Sequence, residues 1–148
     1  MNYFHVSNEK MREGTLLNVN YGRAVQHPGW FRESDHNYAQ YLKEMIFEDY
    51  RRAHFPEAPS RLNCIYLFDN LGTANIFKKN YNKSYLYAVE ISQGARLSKV
   101  DMKWMDLANR MPIHELLKIA HAYFNGDFTN NKIWEIICDG EIRITKNI

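Results

Sequence analysis

The segment from Ser60 to Ser92 carries the most regular pattern in the chain. Its first part, Asn63 to Phe68, is a compact run rich in aromatic and branched residues, which favours a strand. The residues from about Asn70 to Asn80 place apolar side chains at helical spacing after an Asp-Asn pair that can cap a helix. Ser84 to Ile91 then alternates with a period of two, which predicts a second strand. We therefore expect a buried β-α-β segment at the centre of the fold.

The length of the chain, 148 residues, suits one domain, and no repeat or low-complexity tract divides it. We therefore expect a single domain over residues 1–148. A formal net charge of +2 permits a polyanionic partner but is too small to indicate a dedicated nucleic-acid-binding protein. No apolar run is long enough to span a membrane, and the amino terminus lacks the pattern of a secretion signal. These absences predict a cytoplasmic protein without a membrane partner.

The two cysteines, Cys64 and Cys138, both lie in apolar, strand-like runs. Neither belongs to a pair or a Cys/His cluster with the spacing of metal ligands, so no metal site is expected. The sequence instead predicts two buried free thiols in a reducing compartment.

The amino-terminal residues Asn2 to Ser7 predict a first strand, with Phe4 and Val6 facing the core. His5 and Ser7 then share the opposite face. Considered alone, His5 is explained as well by an exposed or hydrogen-bonded strand histidine as by a functional one.

Two loops are expected to follow this strand. Residues Glu9 to Tyr21 lack periodicity and predict a loop with a short extended piece around Thr15 to Leu17. The polar segment Arg23 to His36 contains Pro-Gly and predicts a surface loop. Its aromatic residues Trp30 and Phe31 either line a ligand cleft or pack back onto the core, and the second interpretation is favoured.

A long helix is predicted from about Asn37 to His54, with Ser34 or Asp35 as its cap. Its core-facing stripe is expected to consist of apolar and aromatic residues, namely Tyr38, Tyr41, Leu42, Met45, Ile46, Tyr50 and Ala53. The other face is expected to be solvated and carries Lys43, Glu44, Glu48, Arg51 and Arg52.

The segment Val100 to Arg110 predicts a short strand or loop that leads into a brief helix. A further helix is predicted with Pro112 as its first residue, and Asn125-Gly126 ends it.

The carboxyl-terminal segment predicts a β-hairpin. Ile133 to Cys138 and Glu141 to Thr145 are short β-rich runs, and Asp139-Gly140 between them is a strong two-residue turn signal. Glu135 lies between two isoleucines on one strand face. It is therefore either at a sheet margin in water or in a cleft where its charge has a function, and spacing alone slightly favours the first.

Several of these segments together resemble the ADP-ribosyltransferase superfamily. The resemblance is to the His-Tyr-Glu branch, which includes poly(ADP-ribose) polymerases and rifamycin-modifying enzymes. It is carried, in chain order, by His5-Val6-Ser7, Cys64-Ile65-Tyr66-Leu67-Phe68, Thr73-Ala74-Asn75 with Phe77, and Trp134-Glu135-Ile136-Ile137. The resemblance implies an α+β fold with an ADP-ribosyltransferase-like split β-sheet core and a few peripheral helices.

The resemblance also implies that NAD is a substrate and that His5, Tyr66 and Glu135 are the catalytic residues. Glu135 would orient a ribose hydroxyl and stabilise the positive charge of an oxocarbenium-like transition state. His5 would bind the adenosine-side ribose.

The remaining contacts to NAD follow from the same resemblance. The backbone of Val6 and the hydroxyl of Ser7 would hold the nicotinamide amide, and Tyr66 and Phe77 would stack on its ring. Arg61 is not part of the resemblance; because it lies just before the central strand, it is a candidate to meet an NAD phosphate or an acceptor, although an interpretation as a surface charge is slightly favoured.

The position of the carboxylate stays open at this point. Late strands align loosely, so Glu141 or Asp139 is an alternative to Glu135, which is favoured because it precedes the apolar run.

The expected function is therefore that of an NAD-dependent mono-ADP-ribosyltransferase acting on an intracellular macromolecule, a nucleic acid or a protein. Such a compact enzyme fits a toxin, a phage-defence protein or a phage-borne effector, with an antitoxin protein as a further partner. Two alternatives remain: a catalytically silent module that binds a nucleotide or RNA, and an NAD glycohydrolase.

Overall fold

Six strands form two small antiparallel sheets in the computed structural model, which describes residues 2–148. The first sheet has the order β1-β3-β6 and contains β1 (Tyr3–Ser7), β3 (Tyr85–Ile91) and β6 (Ile142–Asn147). The second has the order β2-β5-β4 and contains β2 (Ile65–Leu67), β5 (Trp134–Asp139) and β4 (Arg96–Asp101). The two sheets meet where Phe4 and Phe68 exchange backbone hydrogen bonds of 2.8 Å in each direction.

Six α-helices surround the sheets. They are α1 (Tyr21–Val25), α2 (Pro28–Phe31), α3 (Asp35–His54), α4 (Leu71–Asn80), α5 (Lys103–Leu107) and α6 (Ile113–Asn125). A 3-10 turn, Arg61–Asn63, precedes β2. The chain therefore has a mixed architecture with two antiparallel sheets and several helices, which confirms the expected α+β class at this level.

The core has three layers. One face of the second sheet packs on the first sheet through apolar side chains such as Leu67 and Ile136 against Tyr87 and Ile144. Its other face packs on α3 and α6, where Ile137 belongs to the same cluster as helical residues. Because side chains alternate along a strand, Glu135 lies on the same face of β5 as Ile137, towards the helices.

The central segment forms the three predicted elements, but not a β-α-β unit. β2 pairs with β5 in the second sheet, whereas β3 pairs with β1 and β6 in the first. The helix α4 therefore carries the chain from one sheet to the other.

The predicted carboxyl-terminal hairpin is wrong. Both strands form, but β5 pairs with β2 and β4, while β6 pairs with β3. Asp139 accepts hydrogen bonds from the backbone and the side chain of Arg96, which holds the end of β5 on β4. Gly140, at a φ of 153°, then redirects the chain to the other sheet. Long-range pairing overrides the local turn signal here.

The segment from Arg23 to His36 is not the irregular loop that was predicted, since it contains the end of α1 and all of α2. Pro28 is the first residue of α2, and the His27 side chain caps it by accepting from the Gly29 N–H at 3.0 Å. Phe31 stacks on Tyr41 of α3 with ring centroids 4.4 Å apart, but both side chains are only partly buried, so Phe31 packs on a helix and not in the core as predicted.

The helix α3 has the predicted extent and the Ser34 cap, and Ile46 and Tyr50 of the predicted stripe pack against the core, but other residues of both faces were predicted wrongly. Tyr38 and Leu42 of the supposed core stripe are 48% and 43% exposed. The supposedly solvated residues Lys43, Glu44 and Glu48 are instead buried, because each finds a polar partner inside the fold.

Other predictions agree with the structure. β4 and α5 account for the strand and brief helix expected near Val100 to Arg110, and Gly126 ends α6 in the left-handed conformation. Cys64 and Cys138 are buried free thiols. Among residues 2–148, no helix is long and apolar enough to cross a membrane.

Candidate functional site

A cleft of about 510 Å³ opens between the sheets and the helices. All seven site residues singled out from the sequence line it, namely His5, Val6, Ser7, Arg61, Tyr66, Phe77 and Glu135. They come from β1, the 3-10 turn, β2, α4 and β5. A cleft of this volume lies within the range of small-molecule sites.

The structure distinguishes Glu135 from the two alternative carboxylates. Glu141 is exposed and lines a separate hollow with Glu90 and Arg143. Asp139 is engaged by Arg96. Of the three, Glu135 alone lines the cleft that contains His5 and Tyr66.

His5 reaches the cleft from β1 and is fixed by β2. Its Nδ1 lies 3.0 Å from the carbonyl oxygen of Tyr66. Because a carbonyl can only accept, Nδ1 donates and Nε2 of the neutral ring is left as an acceptor. Burial lowers the pKa of His5, and the hydrogen bond to Tyr66 opposes this effect only in part. The ring is therefore neutral near pH 7.

Val6 and Ser7 both line the cleft, but their side chains have different surroundings. The Val6 side chain belongs to a buried cluster with Phe68 and Leu86. The Ser7 hydroxyl accepts a hydrogen bond from the Glu9 N–H at 3.0 Å, which shapes the end of β1.

Two aromatic rings line the cleft from different elements. Phe77 of α4 stacks on Tyr81 with centroids 4.4 Å apart. Tyr66 of β2 meets Tyr21 edge-on at 5.9 Å, and its hydroxyl donates to the Arg61 carbonyl oxygen at 3.0 Å. The Tyr66 phenol is thus held in place by a backbone acceptor, with its pKa raised by burial.

Arg61 forms a buried ion pair with Glu44, so its interpretation as a surface charge is wrong. Its Nε and one terminal nitrogen donate to the Glu44 carboxylate at 2.9 to 3.1 Å. The other terminal nitrogen donates to the Tyr123 hydroxyl at 2.7 Å. The guanidinium also lies 5.2 Å from the centre of the Tyr66 ring. The charge of Arg61 is therefore already compensated within the fold.

The 3-10 turn that carries Arg61 is positioned by α1. The Ser60 hydroxyl caps the turn by accepting from the Leu62 N–H. Gly22 packs so closely on the turn that a Cβ there would overlap the carbonyl oxygen of Leu62. The preceding residue, Tyr21, donates its hydroxyl to Glu44 at 3.1 Å.

Glu135 is only 6% exposed, yet its carboxylate makes no hydrogen bond within residues 2–148. No fully sealed side-chain oxygen or nitrogen in that range lacks a partner, so the Glu135 oxygens reach the cleft. Burial raises the pKa of Glu135 to about 7; Glu44 adds to this effect and Arg61 opposes it. This carboxyl group is therefore available to a ligand and changes charge near neutral pH.

Sequence reasoning missed Lys43 and Glu44, which also line the cleft. Glu44 is fully buried, and Lys43 is 8% exposed with its ammonium donating to the Met105 carbonyl oxygen and to Asn109. Burial lowers the pKa of Lys43. One signal was available: the charged residues Lys43, Glu44 and Glu48 share a helix face with the aromatic Phe47. Charged residues on a helix face normally indicate exposure, which hides this signal.

The arrangement suits binding and polar chemistry. Within residues 2–148, no three His, Cys, Asp or Glu side chains are grouped so as to hold a metal ion. The cleft instead offers a neutral imidazole acceptor, aromatic faces and one unpartnered carboxylate beside a compensated ion pair.

Comparisons with known proteins place the chain in a family. None of the curated proteins compared with it matches. The family described as "Protein of unknown function (DUF2441)" matches residues 3–148, nearly the whole chain. The protein therefore belongs to the DUF2441 family.

Proposed function

We propose that this protein is an NAD-dependent mono-ADP-ribosyltransferase. The observation that carries the proposal is that His5, Tyr66 and Glu135, which are far apart in the sequence, line one cleft. Glu135 has no protein partner there, so its carboxylate is free to act on a ligand.

The arrangement of the sheets supports an ADP-ribosyltransferase-like split core. Two three-stranded antiparallel sheets join through the Phe4–Phe68 pair, directly beside His5. This junction keeps β1 next to β2 and so brings a strand from the amino terminus to the edge of the cleft.

The chemistry follows from the residues that line the cleft. The bond from the ribose C1′ to the nicotinamide nitrogen breaks, and its electron pair leaves with neutral nicotinamide. A lone pair of the acceptor then forms a bond to C1′, and the acceptor loses a proton. Positive charge builds on the sugar between these events, and an ionised Glu135 in a cleft of low dielectric stabilises it.

The charge of NAD itself favours the ionised form of Glu135. An opposite charge nearby lowers the pKa of a carboxyl group, and the nicotinamide ring of NAD is cationic. Its arrival therefore counteracts the burial that holds the pKa of Glu135 at about 7. Binding is coupled in this way to the release of a proton.

The other contacts complete the proposal. The Nε2 atom of His5 accepts from a ribose hydroxyl, and Val6 and Ser7 hold the nicotinamide amide. Tyr66 and Phe77 stack on the ring. The Arg61 guanidinium, which is bound to Glu44, lies against the Tyr66 ring and helps to hold that ring in place.

The acceptor is proposed to be an intracellular macromolecule, a nucleic acid or a protein. A toxin, phage-defence or phage-borne role in the cytoplasm, with an antitoxin protein as partner, belongs to the same proposal. Arginine side chains and exposed aromatic faces are the groups that engage phosphates and unstacked bases of single-stranded RNA.

Incubation of the purified protein with NAD labelled in its adenosine half, together with cellular RNA and protein, tests the function. Label on a macromolecule supports transfer, and mass spectrometry of the product identifies the acceptor. Free labelled ADP-ribose supports an NAD glycohydrolase instead. Intact NAD after prolonged incubation would reject both activities and favour a catalytically silent nucleotide- or RNA-binding module.

Glu135→Gln is the variant that ties the activity to the cleft, and Glu141→Gln is its matched control, since Glu141 lies outside the cleft. A rate that falls equally in both variants would contradict the assignment of Glu135.

A further inference from the structure

Lys43 is a buried cation without a carboxylate partner. Its side chain is 8% exposed, and none of the ion pairs among residues 2–148 includes it. Its ammonium donates to the Met105 carbonyl oxygen at 3.1 Å and to Asn109 Oδ1 at 2.9 Å. An ammonium has three donors, so one remains for another group. Buried charges are normally paired, which makes this lysine exceptional.

The nearest carboxylates are already engaged. Glu44, the next residue on α3, accepts from Arg61 and from Tyr21. Asp106 of α5 lies 3.5 Å from the Lys103 ammonium. The fold therefore leaves the charge of Lys43 without a counter-ion of its own.

The charged side chains that line the cleft are Lys43, Arg61 and Lys83 against Glu44, Asp106 and Glu135. While Glu135 is protonated, below about pH 7, the cations exceed the anions by one. An anionic group bound in the cleft would then balance the charge.

Further donors surround the same position. Gln40, one helical turn before Lys43 on α3, lines the cleft, as does Asn109 after α5. Asn109 uses its Oδ1 to accept from Lys43, which leaves its Nδ2 hydrogens for a ligand. Several donors around one ammonium suit a phosphate, which offers three or more acceptor oxygens, better than a carboxylate.

We propose that Lys43, Gln40 and Asn109 form a phosphate-binding subsite in the part of the cleft built by α3 and α5. The phosphate belongs either to NAD or to the acceptor that the proposed transferase modifies, so this assignment of the ligand rests on the proposed function. The subsite itself rests on the geometry of the cleft and is testable without NAD.

Calorimetric titration with inorganic pyrophosphate at low ionic strength tests the subsite. The wild-type protein is compared with Lys43→Met, which keeps most of the side-chain volume, and with Lys118→Met, an exposed lysine of α6 outside the cleft. We expect the affinity of Lys43→Met to fall about ten- to a hundredfold, as for the loss of one charge-assisted hydrogen bond. The control keeps the wild-type affinity. Equal affinities of the wild type and Lys43→Met, or no binding by the wild type, would overturn the proposal.

A second pair of variants protects the test against misfolding. Asn109→Asp places a carboxylate on the existing partner of Lys43 at an exposed position, so it neutralises the ammonium without removing it. It is expected to weaken pyrophosphate binding in the same direction. Lys43→Arg keeps the charge and is expected to retain binding better than Lys43→Met. Wild-type binding by Asn109→Asp would contradict the subsite.

NAD kinetics and a 5′-phosphorylated RNA oligonucleotide distinguish the two sources of phosphate. A KM for NAD that rises at least tenfold in Lys43→Met assigns the phosphate to NAD. An unchanged KM with weaker oligonucleotide binding assigns it to the acceptor.

The two proposals fail separately. Loss of pyrophosphate binding in Lys43→Met, in a protein that leaves NAD intact, keeps the subsite and rejects the transferase. Turnover of NAD by the wild type, together with unchanged pyrophosphate binding in Lys43→Met, keeps the transferase and rejects the subsite.

Discussion

Glu44 and Glu135 are two buried carboxylates in one cleft, and their surroundings differ completely. Glu44 accepts three hydrogen bonds from Arg61 and one from Tyr21. Glu135 accepts none from residues 2–148, and its pKa is raised to about 7. A carboxylate whose oxygens accept hydrogen bonds from the protein stabilises the fold, whereas a carboxylate without protein donors is available to a ligand. The comparison predicts that the two residues will respond to substitution in opposite ways.

The largest effect is expected from Glu44→Gln. This change leaves the Arg61 guanidinium buried without its counter-ion, so the free energy of unfolding should fall by about 3–5 kcal/mol. Chemical denaturation of the variant and the wild type measures the difference. The double variant Glu44→Gln with Arg61→Met removes both charges and should recover part of the loss. A single variant as stable as the wild type would show that the pair does not support the fold.

The next effect concerns turnover. If the proposed transferase activity is correct, Glu135→Gln should lower kcat for NAD at least hundredfold, comparable with the loss of one strong group that stabilises a transition state. Its affinity for NAD should stay within a few-fold, because the contribution of Glu135 is made mainly in the transition state. Single-turnover kinetics combined with calorimetry separate the two quantities. An unchanged rate would remove Glu135 from the mechanism.

The same variant should be more stable than the wild type at high pH. The pKa of Glu135 in the folded protein, about 7, lies above its ordinary value of 4.5, so the folded state binds more protons between these pH values. The stability of the wild type therefore falls as pH rises from 4.5 to 7, and the cost of burying the charge is complete above that. Glu135→Gln removes a cost of up to about 3 kcal/mol at pH 8 and nothing near pH 4. Thermal unfolding at both pH values measures it, and a pH-independent difference would contradict the raised pKa.

The smallest effect is expected from His5→Ala. Loss of one neutral hydrogen bond to a ribose hydroxyl should weaken NAD binding about two- to tenfold. Calorimetry detects this change, and His114→Ala on the exposed start of α6 serves as the control. No loss of affinity would count against a role for His5 in binding.

Local patterns predicted the strands and the longer helices well, since their signals lie within a few residues, whereas the short helices α1 and α2 were missed. The Ser34 cap, the stop at Gly126 and the strand character of β1 each depend on neighbours in the sequence. The order of the resemblance motifs also identified six of the residues that line the cleft. These features could be predicted because neither the caps nor the motif order requires knowledge of which strands pair.

Long-range choices could not be predicted in the same way. The Asp139-Gly140 turn is compatible with a hairpin, but β6 pairs with β3. The charged face of α3 is indistinguishable from a solvated face until Arg61 is known to lie against it. The missing information in both cases is the identity of a partner about 20 to 60 residues away. The proposed phosphate subsite depends on such a distant pair, Lys43 and Asn109, and therefore could not be predicted from the sequence.

The contact between Gly22 and the carbonyl oxygen of Leu62 limits which residues this protein can accept at position 22. Even a single methyl group at position 22 would push α1 away from the turn that carries Arg61, and the Tyr21 phenol would move with α1. A saturation library screened for folded protein should accordingly recover glycine alone at this position. Position 22 is therefore expected to tolerate fewer substitutions than any other position beneath the cleft.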